Sequence, residues 1–179
     1  MIIGLVGEKL SGKDTVALFL AQEHKADHFK FSQILDSILN MLNLDLSRRN
    51  EIDLGLALRG AFGPHVLINA LKNKVEKSSA NLVVVNGIRM DEFEIVKAWD
   101  GAKTIYITAP VEERFERYKQ RHEKVDDAVM DFEHFKAQEQ EQTEVGIPAL
   151  GARADFKIEN TGSLEELYGK VNEIIKQFK

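Results

Sequence analysis

The stretch that decides the fold is residues 7–15, which read GEKLSGKDT. It fits the pattern GxxxxGK, ends that pattern with Gly12 and Lys13, and follows the apolar run MIIGLV at residues 1–6. A helical pattern begins at Asp14. This order of strand, loop and helix predicts a phosphate-binding loop, because glycines let backbone N–H groups approach a phosphate and the helix N-terminus adds partial positive charge.

We expect the loop to hold the phosphates of a nucleoside triphosphate. The ammonium group of Lys13 would bind the β- and γ-phosphates as a point charge. A glycine-rich turn with an exposed lysine is the ordinary alternative, and the preceding strand and following helix argue against it. The predicted nucleotide-binding residues of the loop are Gly7, Lys9, Ser11, Gly12, Lys13, Asp14 and Thr15.

One position of the loop departs from the usual pattern. Asp14 stands where a Ser or Thr hydroxyl commonly binds Mg²⁺, and Thr15 follows it. Three roles are open: Asp14 binds the metal through its carboxylate, Thr15 binds it instead, or Asp14 caps the helix. The first two roles supply an oxygen ligand, so both residues are predicted magnesium ligands.

The composition limits the classes of function. The 179 residues carry 24 basic and 29 acidic side chains, a net charge of −5, which argues against a general binder of nucleic acid or anionic membranes. The sequence has no Cys, which excludes a disulfide framework and a thiolate zinc site. No apolar run approaches the ~20 residues of a membrane span, and the start lacks the basic leader of a signal peptide. We expect one cytoplasmic domain over residues 1–179 with a small-molecule partner, and the oligomeric state stays open.

Apolar runs of strand length alternate with helical patterns along the chain. Strands are predicted at residues 1–6, 28–31, 82–85, 104–108 and 154–158. Helices are predicted at residues 14–23, 33–44, 49–62, 65–78 and 91–99, over a long charged region at 111–144, and after Ser163, which forms a capping box with Glu166. This alternation predicts a three-layer α/β/α fold with a five-stranded parallel sheet.

The end of the predicted third strand carries a family resemblance. Residues 83–89 read VVVNGIR, an apolar strand followed by a turn and an arginine. This stretch and the GKDT form of the loop resemble the P-loop nucleoside and deoxynucleoside monophosphate kinases, which are adenylate-kinase-like and related to dephospho-CoA kinases. The resemblance covers nearly the whole chain, although only the phosphate loop is specific by itself. It implies a P-loop NTPase fold, ATP and Mg²⁺ as cofactors, and a small phosphate acceptor.

The resemblance assigns roles to two residues of this stretch. In the family an Asp closes the strand and holds water around Mg²⁺, and the Arg binds the acceptor phosphate. Arg89 matches that Arg. Asn86 stands at the Asp position, where it can hydrogen-bond metal-bound water but supplies no charge. Asn86 is therefore a predicted metal-site residue that also weakens the expectation of full catalytic rate.

Further acceptor-binding residues are implied by matching segments. Ser32 matches the strand-to-helix turn that faces the acceptor nucleotide, and capping of the following helix explains it equally well. The family's acceptor-binding helical insertion corresponds to residues 33–78. There Arg59 is the favoured phosphate ligand, because a guanidinium binds phosphate bidentately. Arg48 and Arg49 fit exposed helix positions as well as they fit a phosphate site.

The resemblance also implies a donor lid at residues 111–150. Arg117 and Arg121 are four positions apart on one helix face and would neutralise the transferred phosphoryl group, although an ordinary solvated helix pair looks similar. Arg114 is left undecided, and Arg153 is implied to reach the phosphates. The loop after the last strand is implied to wrap the donor adenine, and a turn with a helix cap explains the same residues, which are Asn160, Thr161 and Gly162.

Two classes of function remain open. The first is ATP-dependent phosphoryl transfer to a nucleoside or deoxynucleoside monophosphate, giving the diphosphate and ADP, with dephospho-CoA as the alternative acceptor. Its expected catalytic residues are Lys13, Arg89, Arg117 and Arg121. The second is a nucleotide-binding regulatory module with little kinase activity, which the Asn at position 86 favours.

Overall fold

Five parallel strands form the centre of the computed structural model, which describes residues 1–120, 130–141 and 144–178. The strands lie in the order β2-β3-β1-β4-β5, and every neighbouring pair is parallel. Their bounds are β1 Ile2–Val6, β2 Asp27–Lys30, β3 Val83–Asn86, β4 Ala102–Thr108 and β5 Phe156–Glu159. The predicted three-layer α/β/α P-loop fold with a five-stranded parallel sheet is confirmed.

The helices connect these strands and follow the last one. Their bounds are α1 Lys13–Glu23, α2 Phe31–Met41, α3 Arg48–Phe62, α4 Val66–Glu76, α5 Met90–Lys97, α6 Val111–Gln120, α7 Phe132–Ala137, α8 Ile147–Leu150 and α9 Leu164–Lys176, with a 3₁₀ turn at Gln138–Gln140. The three helices α2, α3 and α4 all lie between β2 and β3. The carboxyl edge of the sheet therefore has a helical segment beside it.

Apolar side chains cover the sheet on both faces, because successive side chains of a strand point to opposite sides. On one face, Ile3 and Leu5 pack with residues of α1 and α9. On the other face, Val83 and Val85 pack with residues of α4, α5 and α8. Full burial of each such side chain contributes roughly 1.5–3 kcal/mol. Both layers of helices are thus fixed against the strands that carry the loop.

The strand register brings three chain segments together at the carboxyl edge of the sheet. Leu5 of β1 pairs with Asn86 of β3, and Asn86 pairs in turn with Lys30 of β2. Val6, the last residue of β1, pairs with Tyr106 of β4. The loop at residues 7–12 follows Val6 directly, so the ends of β2, β3 and β4 lie beside it.

The long charged helical region predicted at residues 111–144 contains more than one helix. Within the described residues, α6 covers Val111–Gln120, and a separate helix, α7, begins at Phe132. Asp131 caps α7, because its side chain accepts a hydrogen bond from the backbone N–H of His134 at 2.9 Å. Charged composition predicted helix here but did not show where one helix ends and the next begins.

Other helix boundaries differ from the sequence by a few residues. The capping box at Ser163 is confirmed: its hydroxyl accepts from the N–H of Glu166 at 3.2 Å, and its own N–H donates to the Glu166 side chain at 2.9 Å. The turn predicted after Phe62 separates α3 from α4, with Gly63 at a φ of 92°.

Across the described part of the chain, no single helix is long and apolar enough for a membrane span. Helices α3 and α4, which are bent by 95° relative to each other, meet that length and composition only as a pair.

Candidate functional site

Two glycines shape the phosphate loop. Gly7 has a φ of 148° and Gly12 a φ of 107°, which L-residues rarely adopt. A Cβ on Gly7 would overlap the carbonyl oxygen of Ile107, and a Cβ on Gly12 would overlap the side chain of Asn160. These two glycines therefore set the curvature of the loop, and both are required for it.

The side chain of Lys13 lies along the loop. Its ammonium donates to the backbone carbonyl of Glu8 at 2.5 Å. Burial lowers the pKa of Lys13 to about 8, and the neighbouring carboxylates of Asp14 and Glu144 oppose that shift. Among the described residues Lys13 has only this neutral hydrogen-bond partner. A buried cation with a neutral partner is the group that a bound phosphate would stabilise.

Asp14 meets the ends of two neighbouring strands. Its Oδ1 accepts from Nδ2 of Asn86 at 2.8 Å and forms an ion pair with Lys30. Asn86 is 1% exposed, and its Oδ1 has no hydrogen-bond partner within residues 1–120, 130–141 and 144–178. The structure thus joins Asp14 to Asn86, while Thr15 follows as the next residue of α1.

Metal ligands of other kinds do not cluster in the described residues. No group of three or more His, Cys, Asp or Glu there could hold a metal ion by itself. Asp14 and Asn86 supply two oxygen donors of the type that Mg²⁺ prefers, and an Mg²⁺ ion usually keeps several waters and takes further ligands from substrate phosphates. The residues present therefore fit a magnesium ion that binds together with a nucleotide.

Arg117 fastens the phosphate loop to the loop after β5. Its Nη1 donates to the carbonyls of Leu10 and Ser11 at 3.1 and 3.4 Å, and its Nη2 donates to the carbonyl of Asn160 at 2.6 Å. Nδ2 of Asn160 donates to the same Ser11 carbonyl at 2.9 Å. The structure therefore brings Arg117 and Asn160 to the loop.

The other residues predicted for the lid and the adenine-binding loop are Arg121, Thr161, Gly162 and Arg153. Arg121 lies outside the described residues. Thr161 and Gly162 follow Asn160 on an exposed turn before α9. Arg153 forms an ion pair with Glu94, and its guanidinium lies 5.4 Å from the ring centre of Phe93. The structure does not bring Arg153 to the phosphate loop, because Arg153 precedes the amino end of β5 and the loop follows the carboxyl end of β1.

Arg114, which the sequence left undecided, is a buried connector. It is 4% exposed, donates from Nε to the carbonyl of Ala109 at 2.9 Å, and donates from Nη1 to the carbonyl of Lys9 at 3.3 Å. Its Nη2 pairs with Glu139. Arg114 thus ties α6 and the 3₁₀ turn to the start of the phosphate loop.

The two predicted acceptor arginines meet at one carboxylate. Nη2 of Arg59 pairs with Oε1 of Glu92 at 3.2 Å, and the backbone N–H of Arg89 donates to Oε2 of Glu92 at 3.1 Å. Glu92 is 7% exposed. The guanidinium of Arg89 pairs with a second buried carboxylate, Glu144, at 2.6 Å. The structure therefore brings Arg59 and Arg89 together, each held by an anion of the chain.

The remaining predicted acceptor residues lie on the helices after β2. Ser32 is the second residue of α2. The alternative role as a helix cap is wrong, because α2 begins at Phe31 and Lys30 holds the N-cap position, where its backbone N–H donates to the side chain of Gln33 at 3.0 Å. Arg49 forms an exposed ion pair with Asp53 at 2.7 Å, as expected for a helix surface. Arg48 begins α3.

A cavity of about 160 Å³ lies beside the first half of the loop. Lys9 lines it, and its ammonium donates to the side-chain oxygen of Gln138 at 3.1 Å. Glu8 also lines it and accepts from the hydroxyl of Tyr106, whose pKa is raised by burial and by this carboxylate. Oε2 of Glu8 and Oγ of Ser11 are buried without partners among the described residues. The cavity thus has mostly apolar walls with a few polar groups, and it reaches the phosphate loop at Glu8 and Lys9.

Sequence reasoning missed the carboxylates of this site. Glu92 had a usable signal, because it lies three residues after Arg89 at the start of a helix, where a Glu commonly accepts from the preceding backbone N–H. Glu8 lies inside the loop motif itself but at one of its unspecified positions. Glu144 had no local signal, since 55 positions separate it from Arg89.

Comparison with known proteins places the chain among relatives of one kind. No protein-family model matches it. It is 31% identical over 179 residues to a UPF0200/UPF0201 protein of Archaeoglobus fulgidus, an alignment covering 97% of this chain and 54% of that protein. It is 30% identical over 142 residues to a UPF0200 protein of Thermococcus gammatolerans, with 75% of this chain and 73% of that protein covered. The chain thus spans about half the length of the Archaeoglobus relative.

Solved structures share its fold. The crystal structure of TT1252 from Thermus thermophilus has a TM-score of 0.65 and 24% identity, and the match covers 100% of this chain and 98% of that one. Shikimate kinase from Acinetobacter baumannii in complex with shikimate has a TM-score of 0.58 and 18% identity over 99% and 94% of the two chains. At these identities the likeness establishes the P-loop kinase fold.

Proposed function

The chain belongs to the UPF0200 family, and we propose that it is an ATP-dependent phosphotransferase whose acceptor is a nucleoside or deoxynucleoside monophosphate. The observation that carries this proposal is a preformed phosphate loop whose lysines, Lys9 and Lys13, hydrogen-bond only neutral oxygens among the described residues. A buried cation that hydrogen-bonds no anion is costly unless a ligand supplies negative charge at hydrogen-bonding distance. The fold shared with shikimate kinases supports the same class of chemistry.

The donor triphosphate would bind along the loop. The backbone N–H groups at the start of α1 point toward the loop, and the helix adds partial positive charge there. The ammonium of Lys13 would exchange its carbonyl partner for phosphate oxygens, which restore the charged form that burial disfavours. We propose that Asn160, Thr161 and Gly162 contact the donor base, and that the position of Asn160 beside Ser11 supports this.

Magnesium would bind where α1 meets β3. Asp14 and the unpartnered oxygen of Asn86 would hold the ion or its waters, and Thr15 is the other hydroxyl available on α1. The ion, when bound, would neutralise charge on the β- and γ-phosphate oxygens. Lys30, which now pairs with Asp14, would turn toward the phosphates or solvent because a divalent cation and an ammonium repel each other.

The acceptor would bind on the side of Arg59 and Arg89. Both guanidinium groups lie at the end of β3 and on α3, next to the loop, and Ser32 begins the neighbouring helix α2. In the reaction, an oxygen of the acceptor phosphate forms a bond to the γ-phosphorus while the bond from that phosphorus to ADP breaks. A phosphate oxygen is already anionic, so the reaction needs no side chain to remove a proton.

Arginines would stabilise the transferred group. In the loose transition state of phosphoryl transfer, negative charge spreads over the three equatorial oxygens of the transferred group, and the attacking and leaving oxygens lie roughly in line. We propose that Arg89 meets that charge from the acceptor side, and that Arg117, which donates to two carbonyls of the loop, supports the loop backbone. We propose that Arg117 acts together with Arg121 of the same segment.

A second function has one observation in its favour. Asn86 supplies no charge at the strand end, and Asp14 is already neutralised by Lys30. Both features reduce the negative charge available for Mg²⁺, as expected for a nucleotide-binding regulatory module with slow transfer. Dephospho-CoA remains the alternative acceptor for a fast enzyme.

The test is an acceptor panel. Purified protein is incubated with Mg²⁺ and ATP plus one ribo- or deoxynucleoside monophosphate, or dephospho-CoA, and the products are separated by chromatography. We expect transfer to at least one monophosphate. No transfer to any acceptor, together with tight ATP binding, would show that the protein is a nucleotide-binding module and not a kinase.

A matched pair of lysine variants assigns the activity to the loop. Lys13→Met should lower the transfer rate by about 10²–10³-fold, the usual effect of removing one donor to the reacting group. Lys74→Met removes the same charge from an exposed position of α4 and should leave the rate unchanged. Equal activity of the two variants would contradict the loop assignment.

A further inference from the structure

A buried carboxylate holds the guanidinium that the acceptor would use. Glu144 is 7% exposed, and its Oε1 accepts from Nη1 of Arg89 at 2.6 Å. The pair joins the end of β3 to the turn before α8, 55 positions further along the chain. The carboxylate of Glu144 is buried, whereas the side chain of Arg89 is 40% exposed, so the pair is open to solvent on the arginine side. The guanidinium of Arg89 is thus already paired with a carboxylate of the chain.

Two lysines of the phosphate loop lie within electrostatic range of the same carboxylate. Lys9 and Glu144 line one cavity of about 160 Å³. Burial lowers the pKa of Lys9 and of Lys13, and the carboxylate of Glu144 opposes the shift in both. Neither lysine forms a hydrogen bond to a carboxylate in the described part of the chain. Three cations thus surround Glu144, and only Arg89 among these three bonds to it.

Glu92 and Glu144 contact Arg89 in different ways. Glu92 accepts from the backbone N–H of Arg89 and not from the guanidinium nitrogen that Glu144 contacts. Glu144 contacts the guanidinium itself, which is the group that binds phosphate. Glu92 can therefore stay in place while an acceptor binds, whereas Glu144 and an acceptor phosphate need the same donor atoms.

We propose that Glu144 occupies the position of the acceptor phosphate, between Arg89 and Lys9, and that the acceptor binds by displacing it. The inference rests on the proposed function and narrows its acceptor to a molecule with a terminal phosphate. A phosphate monoester carries about 1.5–2 negative charges near pH 7 and three acceptor oxygens, so it satisfies more donors than one carboxylate. A neutral hydroxyl offers Arg89 no charge in exchange for Glu144.

The test measures binding of inorganic phosphate, without ATP and without turnover, by isothermal titration calorimetry. Glu144→Gln removes the competing charge and keeps the shape of the side chain. If Glu144 holds Arg89 about nine-tenths of the time, phosphate should bind the variant about tenfold more tightly. Glu133→Gln removes one negative charge from an exposed position of α7 and should leave phosphate affinity unchanged.

Phosphate binding to Glu144→Gln that is unchanged or weaker would overturn the proposal and make Glu144 a support for Arg89. If the variant does not fold, as circular dichroism would show, the wild-type protein crystallised with phosphate gives the answer. We expect phosphate on Arg89 and Lys9 with Glu144 displaced; an intact pair between Arg89 and Glu144 in phosphate-soaked crystals overturns the proposal. Because no transfer is measured, failure of the kinase proposal does not decide this result.

Discussion

The basic side chains in the two halves of the candidate site have different kinds of partner. On the donor side, Lys13 hydrogen-bonds a backbone carbonyl and Lys9 a side-chain amide, so both lysines have neutral partners among the described residues. On the acceptor side, Arg59 pairs with Glu92, and Arg89 pairs with Glu144. Both halves meet at the carboxyl edge of one parallel sheet, where ligands bind in open α/β folds.

This difference indicates which half is ready for a ligand. The proposed donor lysines hydrogen-bond neutral oxygens, while the carboxylates of Asp14 and Glu144 act on Lys13 only through electrostatics, so we expect a triphosphate to bind the lysines directly. The proposed acceptor arginines are paired with Glu92 and Glu144, so we expect an acceptor to compete with at least one of these carboxylates. Changes to the loop should therefore remove donor binding altogether, while changes to the acceptor side should adjust affinity.

The largest effect is expected for Gly7→Ala. The added Cβ would overlap the carbonyl oxygen of Ile107, and the φ of 148° is unfavourable for alanine. We expect loss of ATP binding and a melting temperature lowered by several degrees, measured by calorimetry and by thermal unfolding.

Gly60→Ala is the control for that variant. Gly60 lies inside α3 with no atom within 4 Å of the added Cβ, so the substitution should raise stability by up to about 1 kcal/mol. If Gly7→Ala binds ATP as the wild type does, the loop does not need the observed curvature.

A smaller effect is expected for Arg89→Ala. Hydrogen bonds to charged groups contribute about 1.5–3 kcal/mol each, so the KM for the acceptor should rise by roughly 10–100-fold. The KM for ATP should change little, because Arg89 lies on the acceptor side. Steady-state kinetics with each substrate varied in turn measures both constants. An equal rise in both would contradict the separation of the two halves.

A milder variant, Glu92→Gln, tests whether Glu92 positions the two arginines of the proposed acceptor side. Glu92 holds Arg59 through its side chain and Arg89 through its backbone, so the loss of one charge should loosen both arginines. We expect the acceptor KM to rise by about tenfold or less, with kcat nearly unchanged. A fall in kcat at constant KM would instead place Glu92 in contact with the reacting atoms.

The smallest effect is expected for Arg153→Ala. Its ion pair with Glu94 is half-exposed and should contribute about 1 kcal/mol or less to stability. Because the structure places Arg153 against α5, ATP affinity should stay as in the wild type. A clear loss of ATP affinity would restore the phosphate role that the family resemblance implied.

The sequence predicted the strand, loop and helix of the proposed donor half because their signals are local. The pattern of strand, glycine loop and helix lies within residues 1–23, and each part specifies its own backbone conformation. The contact of Asp14 with Asn86 was less accessible. It depends on the pairing of β1 with β3, which joins Leu5 to Asn86.

For the proposed acceptor half, the sequence pointed to the arginines but not to the carboxylates that pair with them. A Glu in a charged stretch looks like a solvated residue, and the burial of Glu144 arises from the packing of α8 against α5. The same limitation applies to the helical region predicted at residues 111–144. Asp131 caps α7, but the charged residues around it made the start of this separate helix hard to recognise in the sequence.

The most direct test of the donor half uses the pKa of Lys13. Burial lowers this pKa from 10.5 to about 8, so near pH 8 about half of the free molecules carry a neutral lysine. Below that pH the buried charge destabilises the free protein, and this cost disappears as the pH rises from about 8 toward 10.5. Bound phosphates favour the ammonium form, so affinity for ATP should fall as the pH rises above 8.

The measurement is a calorimetric titration of a non-hydrolysable ATP analogue near pH 8, in two buffers with different ionisation enthalpies. The wild-type protein should take up protons when the analogue binds, because bound phosphates raise the lowered pKa of Lys13. Lys13→Arg stays charged at this pH and should take up none. Tight binding to the wild type without proton uptake would contradict the contact between Lys13 and the donor phosphates.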